Sequence, residues 1–440
     1  MFFALLICKV MSFALSLIGR GSSLPGSVAL KLYPDLLRKM KLPELIIAVT
    51  GSNGKTSTTE YVTKLARKTR RIVISNYEGS NQIDGIVTLF AKHSTLSGRV
   101  KADIAIVESD ERFCQYTFSF FTPTYIVITN LFRDQMTRNG HNEYVFDELK
   151  KGLPKISTLI LNADDPLSSA FSLDREEVIY FGIDTDVFED KNSKSICSDR
   201  DYCIVCGGLL RYTSHLTYHL GHYQCTSCGF VRGDTTHSVT SLALDRLVID
   251  SLYEIKPQML NAMFAANITA AFTVGVEVLK LPEEIVVETL DGYTLTNERL
   301  LFFNAGNHKG MFMLSKHENT MAYNMSIRSI VESRSKEKTV VIVFDLLSRK
   351  YTATDISWIW DVDFELLNDD RVALIILSGA FAYDLATRMI IAGVNEQKIH
   401  IEPNINSMTE KLADTAKGDI FAMTCFTDVK KLMTRFKENV

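Results

Sequence analysis

The run Thr50-Gly51-Ser52-Asn53-Gly54-Lys55-Thr56-Ser57 has the residue types and spacing of a phosphate cradle. Gly51 and Gly54 let backbone N–H groups turn inward toward phosphate oxygens, and a helix opening at Lys55 adds the positive end of its dipole. Lys55 has the reach for β- and γ-phosphates, and the Thr56 hydroxyl can join a Mg²⁺ ion. The chemistry predicted is binding of ATP with Mg²⁺. One departure stands out: Val49, five positions before Gly54, replaces the glycine that opens the common G-x-x-x-x-G-K-T pattern. A second set of chemical residues is Cys203-x-x-Cys206 and Cys225-x-x-Cys228, separated by eighteen residues. Each pair lets two thiolates grip one ion, and together they close a tetrahedral S₄ site for Zn²⁺ with no open position, so its role is structural. Gly207-Gly208 and Gly229 follow the pairs, where a tight turn needs freedom in φ. His215, His219 and His222 lie between them and are expected to be polar surface residues rather than ligands.

These residues need a frame. Leu45–Val49 is a run without internal alternation and predicts a buried strand, followed by a helix over Lys55–Arg67. Further strands are expected at Ile72–Ser75, Asp103–Val107, Tyr125–Thr129, Leu159–Asn162 and Val178–Phe181, separated by helical stretches. That order implies an α/β domain with a parallel sheet covered on both faces. The paired cysteines fall in a glycine- and tyrosine-bearing insertion over 196–234. A long helix is expected over Met259–Val276, and a second α/β pattern follows with strands at Val340–Phe344, Ala373–Leu377 and Ile420–Thr424. The predicted organisation is a segment 1–44 packing on a central domain 45–300, the ribbon 196–234 inserted in it, and a C-terminal Rossmann-like domain 301–440.

Three segments follow strands in the order of one superfamily. They are Val107-Glu108-Ser109-Asp110-Glu111, Thr129-Asn130-Leu131-Phe132-Arg133-Asp134-Gln135 and Asn162-Ala163-Asp164-Asp165. With the loop variant T-G-x-N-G-K-T they resemble the Mur ligases and their folylpolyglutamate synthetase relatives, which make amide bonds through an acyl phosphate. The resemblance implies that Glu108 binds Mg²⁺, that Asn267 touches adenine, and that Arg299 and Lys316 complete the nucleotide site from the C-terminal side. Gln135 stands where that superfamily has a metal-holding histidine, which leaves the number of Mg²⁺ ions open.

The run Thr354-Asp355-Ile356-Ser357-Trp358-Ile359-Trp360-Asp361 holds both tryptophans, read as buried aromatics beside carboxylates that form a fixed surface. With the cysteine insertion and Arg20-Gly21-Ser22-Ser23-Leu24-Pro25-Gly26, it resembles the MurT family over nearly the whole chain. That resemblance implies an ATP-dependent amidating ligase subunit. Its substrate would be lipid II, whose stem-peptide D-glutamate is activated at the α-carboxyl and converted to D-isoglutamine. Its partner would be a GatD-like glutamine amidotransferase that supplies ammonia, with Asp355 orienting the partner's catalytic histidine. Neither Cys114 nor Cys425 lies on a G-x-C-x-G elbow of the kind a glutaminase nucleophile needs. The alternative is a stand-alone amino-acid ligase of the Mur or folylpolyglutamate type.

Composition narrows the class. The chain has 440 residues, 46% hydrophobic and 23% charged, the balance of a globular protein of more than one domain. A net charge of −4 gives no broad basic field, which argues against nucleic acid as a partner. Eight cysteines are too few for a disulfide scaffold and suit a reducing compartment; the polyprenyl-linked substrate that the resemblance implies would place a cytoplasmic protein's action at the inner membrane face. Met1 to Ile18 is almost wholly apolar, but Lys9 inside the run argues against a signal or a span. It is expected to be a helix packed on the body of the protein, with a membrane-surface helix as the alternative.

Overall fold

The computed structural model of the chain describes residues 1–17, 22–77, 80–134, 140–185, 201–243, 246–257, 262–293, 300–315, 318–345, 355–425 and 432–433. Arg20, Gln135, Arg299, Lys316 and Thr354 lie outside the described residues. Two compact units emerge: one from the described residues of Met1–Phe132 and 142–297, the other from those of Arg133–His141 and Glu298–Val440.

The first unit is built on a nine-stranded sheet. Its strands are β1 Leu45–Thr50, β2 Val73–Ser75, β3 Ile104–Glu108, β4 Tyr125–Ile128, β5 Thr158–Asn162 and β6 Val178–Ile183, with three more beyond a hairpin. The hairpin is β7 Leu210–Thr217 and β8 Leu220–Cys225, and the chain returns as β9 His237–Leu242, β10 Leu247–Ile249 and β11 Tyr253–Ile255. The order is β11-β10-β9-β6-β5-β4-β1-β3-β2. From β2 to β9 all pairs are parallel, whereas β9, β10 and β11 form an antiparallel meander at one edge. The six strands expected from sequence pair in parallel as expected, and the antiparallel meander is an addition at one edge. Ser241 of β9 pairs with Val248 of β10, and the three-residue strands β10 and β11 carry too little pattern to be read from sequence.

Helices α1 Phe2–Ser16, α2 Leu24–Leu32, α3 Leu36–Lys39, α4 Lys55–Lys68 and α5 Ile83–Lys92 surround the early strands. β1 is buried along its length because Ile46, Ile47, Ala48 and Val49 have neighbours on both faces. Ala4, Leu5 and Cys8 of α1 join one core with Ala29, Leu36 and Ile46. The helix Ala262–Thr273 is almost entirely buried and widens into a π-turn over Val274–Val278, so the single long helix expected there is interrupted. Among the described residues, no helix is long and apolar enough to cross a membrane.

The second unit holds β12 Leu300–Ala305, β13 His308–Ser315, β14 Lys338–Val343, β15 Val372–Ser378, β16 Ile399–Ile401 and β17 Asp419–Cys425, ordered β12-β13-β17-β14-β15-β16. All pairs are parallel except β12 with β13. Strand alternation divides its core into two layers. Val340 and Ile342 of β14 pack with Trp358, Phe364 and Leu385 on one face. Val341 and Val343 pack with Ile405, Met408 and Leu412 on the other.

Candidate functional site

Parallel pairing sets Val49 of β1 against Glu108 of β3, and Thr50 against Ile128 of β4. The phosphate-type loop, Glu108 and the Thr129-Asn130 segment thus leave three adjacent strands at the same carboxyl edge, where open α/β sheets place ligands. Gly54 caps α4 with φ of 83°, in the left-handed region that glycine adopts freely. A Cβ on it would collide with the amide of Asn267. That close approach brings the helical asparagine directly against the loop, together with Thr50–Ser57 and Glu108.

The loop is held from the neighbouring strand end. Asn130 Oδ1 accepts from the Asn53 N–H at 3.0 Å, and its Nδ2 donates to the Asn53 carbonyl at 3.0 Å. Thr129 Oγ1 donates to the Asn53 carbonyl at 2.7 Å. The Ser52 N–H donates to the Asn130 carbonyl at 2.8 Å, and the Ser52 hydroxyl exchanges hydrogen bonds with the Phe132 backbone at 3.0 and 3.1 Å. The T-N segment is therefore a brace for the cradle, a role that its sequence did not suggest. Replacing Asn130 by alanine leaves the Asn53 N–H and carbonyl without this partner in a buried site. The expected cost is about 2 kcal/mol of unfolding free energy. A urea titration read by fluorescence, together with nucleotide affinity measured by calorimetry, checks it; an unchanged midpoint would remove the brace.

Lys55 is almost fully buried. Its Nζ donates to the Gly51 carbonyl, to the Ser52 carbonyl at 3.2 Å, and to Glu111 Oε2 at 2.8 Å. Glu111 was not singled out from sequence, and only the fold reveals it as the counter-ion of the loop lysine. Glu108 is also buried, and Asn81 Nδ2 donates to its Oε1 at 3.1 Å. Asn76 brackets the Glu108 backbone: its Oδ1 accepts from the N–H at 2.7 Å and its Nδ2 donates to the carbonyl at 3.0 Å. The side chains of Thr56 and Ser57 are half-buried at the start of α4.

The paired aspartates after β5 have structural partners. Asp165 Oδ2 accepts from the Leu131 N–H at 2.8 Å, and its Oδ1 caps the helix that begins at Pro166. Asp164 is bound by Arg232 Nε at 2.8 Å and by the Ile183 N–H at 2.9 Å; burial pushes its carboxyl up to about 6 against the pull of Arg232.

The four ribbon thiols converge, with all Sγ atoms within 4.8 Å of one another. Cys203 and Cys228 Sγ are 3.7 Å apart, and Cys206 and Cys225 Sγ are 3.5 Å apart. Tetrahedral zinc–sulfur bonds of about 2.3 Å put ligand sulfurs roughly 3.8 Å apart, so the cluster fits such an ion. Gly207 and Gly229 take φ of 73° and 74° where each knuckle turns. The N–H groups of Ser227 and Cys228 point at Cys225 Sγ and hold its thiol down to about 6, favouring thiolate. Two of the three histidines depart from the expected surface position. His219 is fully buried, packed on the Phe132 ring with centroids 4.4 Å apart and its Nε2 3.3 Å from Asp165, because the hairpin folds down onto the sheet. His222 is half-buried, bonded to the Ile183 carbonyl at 2.9 Å, and His215 is exposed.

In the second unit Asp355 is exposed, and its Oδ1 accepts from the Ser357 N–H at 2.8 Å, which holds its carboxyl below the usual range. The tryptophans separate. Trp358 is buried against Tyr323 and Phe344, whereas Trp360 is 46% exposed with the Arg388 guanidinium 5.7 Å from its ring. The expectation of two buried tryptophans is corrected: in the 3₁₀ turn Ser357–Asp361, at three residues per turn, Trp358 and Ile359 are buried and Trp360 comes round to solvent. Cys114 is buried, its thiol pushed up to about 12 by desolvation, and Cys425 is buried too.

Comparison with known proteins agrees with this architecture. The model of the Mur ligase middle domain matches residues 49–216, and that of the MurT ligase C-terminal matches residues 316–429. The subunit MurT of lipid II isoglutaminyl synthase (glutamine-hydrolyzing) from Staphylococcus aureus (strain COL) is 31% identical, over 96% of this chain and 94% of its own. Its counterpart from Streptococcus pneumoniae (strain ATCC BAA-255 / R6) is 28% identical, over 97% and 94%. Among solved structures, a pseudomurein peptide ligase type C from Methanothermus fervidus superposes with a TM-score of 0.67 at 19% identity, covering 91% of this chain and 80% of the other. A cradle braced at the carboxyl edge of a Mur-type sheet, a four-cysteine hairpin and a matching C-terminal unit place the chain in the MurT family of Mur-ligase-fold enzymes.

Proposed function

We propose that the chain is the ligase subunit of a lipid II isoglutaminyl synthase. It activates the α-carboxyl of D-glutamate in the lipid II stem peptide with ATP and amidates it to D-isoglutamine. The single observation that carries this reading is the full-length similarity to the MurT subunits combined with the braced Thr50–Ser57 loop beside Glu108. The Asn53–Lys55 backbone, Lys55 and Thr56 position the phosphates, with Asn267 against the loop and Arg299 and Lys316 contributing from outside the described residues. Mg²⁺, held by Thr56 and Glu108, would neutralise phosphate charge when bound. The carboxylate oxygen attacks the γ-phosphorus and ADP leaves; ammonia then attacks the acyl carbon, and phosphate leaves with its bridging oxygen. The chain contributes mainly positioning and charge, as phosphoryl transfer requires.

Ammonia is proposed to come from a second protein. Both described cysteines outside the ribbon and away from α1, Cys114 and Cys425, are buried, and the raised Cys114 thiol is the opposite of an activated nucleophile. The partner is proposed to be a GatD-like glutamine amidotransferase, with the exposed, ionised Asp355 completing its triad. The complex would work at the cytoplasmic membrane face, where a polyprenyl-linked substrate is found.

The reading is tested by incubating lipid II with ATP and either glutamine or free ammonia, with and without the amidotransferase. Product from glutamine only in the partner's presence supports it. Turnover that needs an added amino acid instead would establish a stand-alone ligase.

The ribbon is proposed to hold one structural zinc on Cys203, Cys206, Cys225 and Cys228. Cys206→Ser is expected to lower zinc from about one ion per chain to near none, by atomic emission, and to drop the unfolding temperature by several degrees. A metal-free wild-type protein would refute the assignment.

A further inference from the structure

Helix α1 has two faces. Ala4, Leu5, Cys8 and Ser12, at helical spacing, are buried against the first unit. The opposite stripe is Phe2, Phe3, Leu6, Ile7, Val10, Phe13 and Leu17, every one apolar and exposed. Phe3, Phe13 and Leu17 are 75%, 70% and 74% exposed. An uninterrupted apolar stripe with three phenylalanines is a large surface for water to cover, and contiguous exposed apolar surface marks an interaction site. A helix packed on the body and a helix at a membrane surface are each satisfied by one of these faces.

What covers the stripe is indicated by charge. Residues 1–43 contain Lys9, Arg20, Lys31, Arg38, Lys39 and Lys41 against one acid, Asp35. Lys9 flanks the stripe and donates to the Lys92 carbonyl at 2.9 Å, and burial lowers its ammonium pKa. A cavity of about 570 Å³ beside the same helix is lined by Ser12, Ser16, Arg67, Lys92 and His93, with no carboxylate among the described residues lining it. An anionic phospholipid surface matches both features, with an apolar layer for the stripe and, at its edge, phosphate for the cations and hydroxyls.

We infer that the outer stripe of α1 lies in the interface of an anionic phospholipid membrane, with Lys9, Lys92 and the neighbouring cavity taking lipid headgroup phosphate. The choice of lipid rests in part on the proposed lipid-linked substrate, but the binding itself needs no turnover. Phe2, Phe3, Phe13 and Leu17 enter the acyl boundary, and the buried stripe keeps the helix parallel to the surface.

The test is flotation of the full chain with vesicles of phosphatidylcholine alone, or of an equal mixture of phosphatidylcholine and phosphatidylglycerol, carrying no lipid II. The wild type is expected to float with the mixed vesicles and to be released by high salt. Phe3→Ser with Phe13→Ser should lower partitioning by about 10- to 100-fold while leaving nucleotide affinity unchanged, since neither residue touches the nucleotide loop. Equal partitioning of wild type and double variant would overturn the inference, as would equal binding to phosphatidylcholine alone. A concentration-dependent dimer in solution that the double variant abolishes would assign the stripe to a second copy instead. Vesicle binding without amidation, or amidation without vesicle binding, separates this inference from the proposed reaction.

Discussion

Replacing Asp355 by asparagine is expected to cut glutamine hydrolysis by the assembled complex about 10⁴-fold, the scale on which triads lose activity when their acid becomes an amide. The physical reason is tautomer control. A carboxylate accepts the histidine N–H and stabilises the imidazolium that forms, while an amide can present a donor where an acceptor is needed. Asp355 has the properties such an acid needs, being exposed and kept ionised and oriented by the Ser357 N–H. ATP affinity and amidation driven by free ammonia should stay at wild-type levels, because the role proposed for Asp355 is confined to the partner's glutamine-hydrolysing triad. Glutaminase activity unchanged in the variant would sink the in-trans role. Loss of ammonia-driven activity as well would mean that Asp355 acts on the ligase side.

The second large effect concerns Glu108. Glutamine in its place conserves volume and can still accept from Asn81, so folding should be preserved and the unfolding midpoint should not move. What is removed is the negative charge proposed to hold Mg²⁺ beside the loop. A fall of about 10²- to 10³-fold in the rate of ADP formation at saturating substrate is expected, the usual loss for one well-placed electrostatic group. Affinity for nucleotide in the absence of Mg²⁺ should be little changed, or slightly better, since a carboxylate near phosphates is repulsive until a cation intervenes. A variant with full activity would move the metal to another acid, and Glu111, already in reach of Lys55, would be the next candidate.

Much of this site could be read before folding because its residues are close in sequence and their types are restrictive. Thr50 to Ser57 form one turn between a strand and a helix, and only glycine tolerates the conformation at Gly54. The four cysteines announce their geometry through their spacing alone. Hidden from sequence were the contacts that link distant segments. Asn130 and Asn53 are 77 positions apart, and the pairing of β1 with β4 brings them together. Lys55 and Glu111 are 56 positions apart and meet only because β1 and β3 are neighbours. His219 looked like a solvent-facing residue because a histidine in a hairpin usually is one, and nothing local reveals that Phe132 waits beneath it. The antiparallel edge strands β10 and β11 escaped for a different reason, since at three residues each they are too short for a periodic signal.

The contact between His219 and Phe132 joins two sites that otherwise look independent. The hairpin leading into Cys225 presses His219 onto Phe132, and the Phe132 backbone is hydrogen-bonded to Ser52 in the nucleotide loop. Asp165 touches both sides of the same junction, accepting from Leu131 and lying beside His219. The zinc proposed for the ribbon and the nucleotide proposed for the loop then share a thermodynamic cycle. Whatever factor an ordered ribbon adds to nucleotide binding, bound nucleotide must return to the metal site by the same factor. Metal affinity measured with and without ATP would then differ by that factor, and the ribbon would report occupancy of a loop that its own thiols never touch.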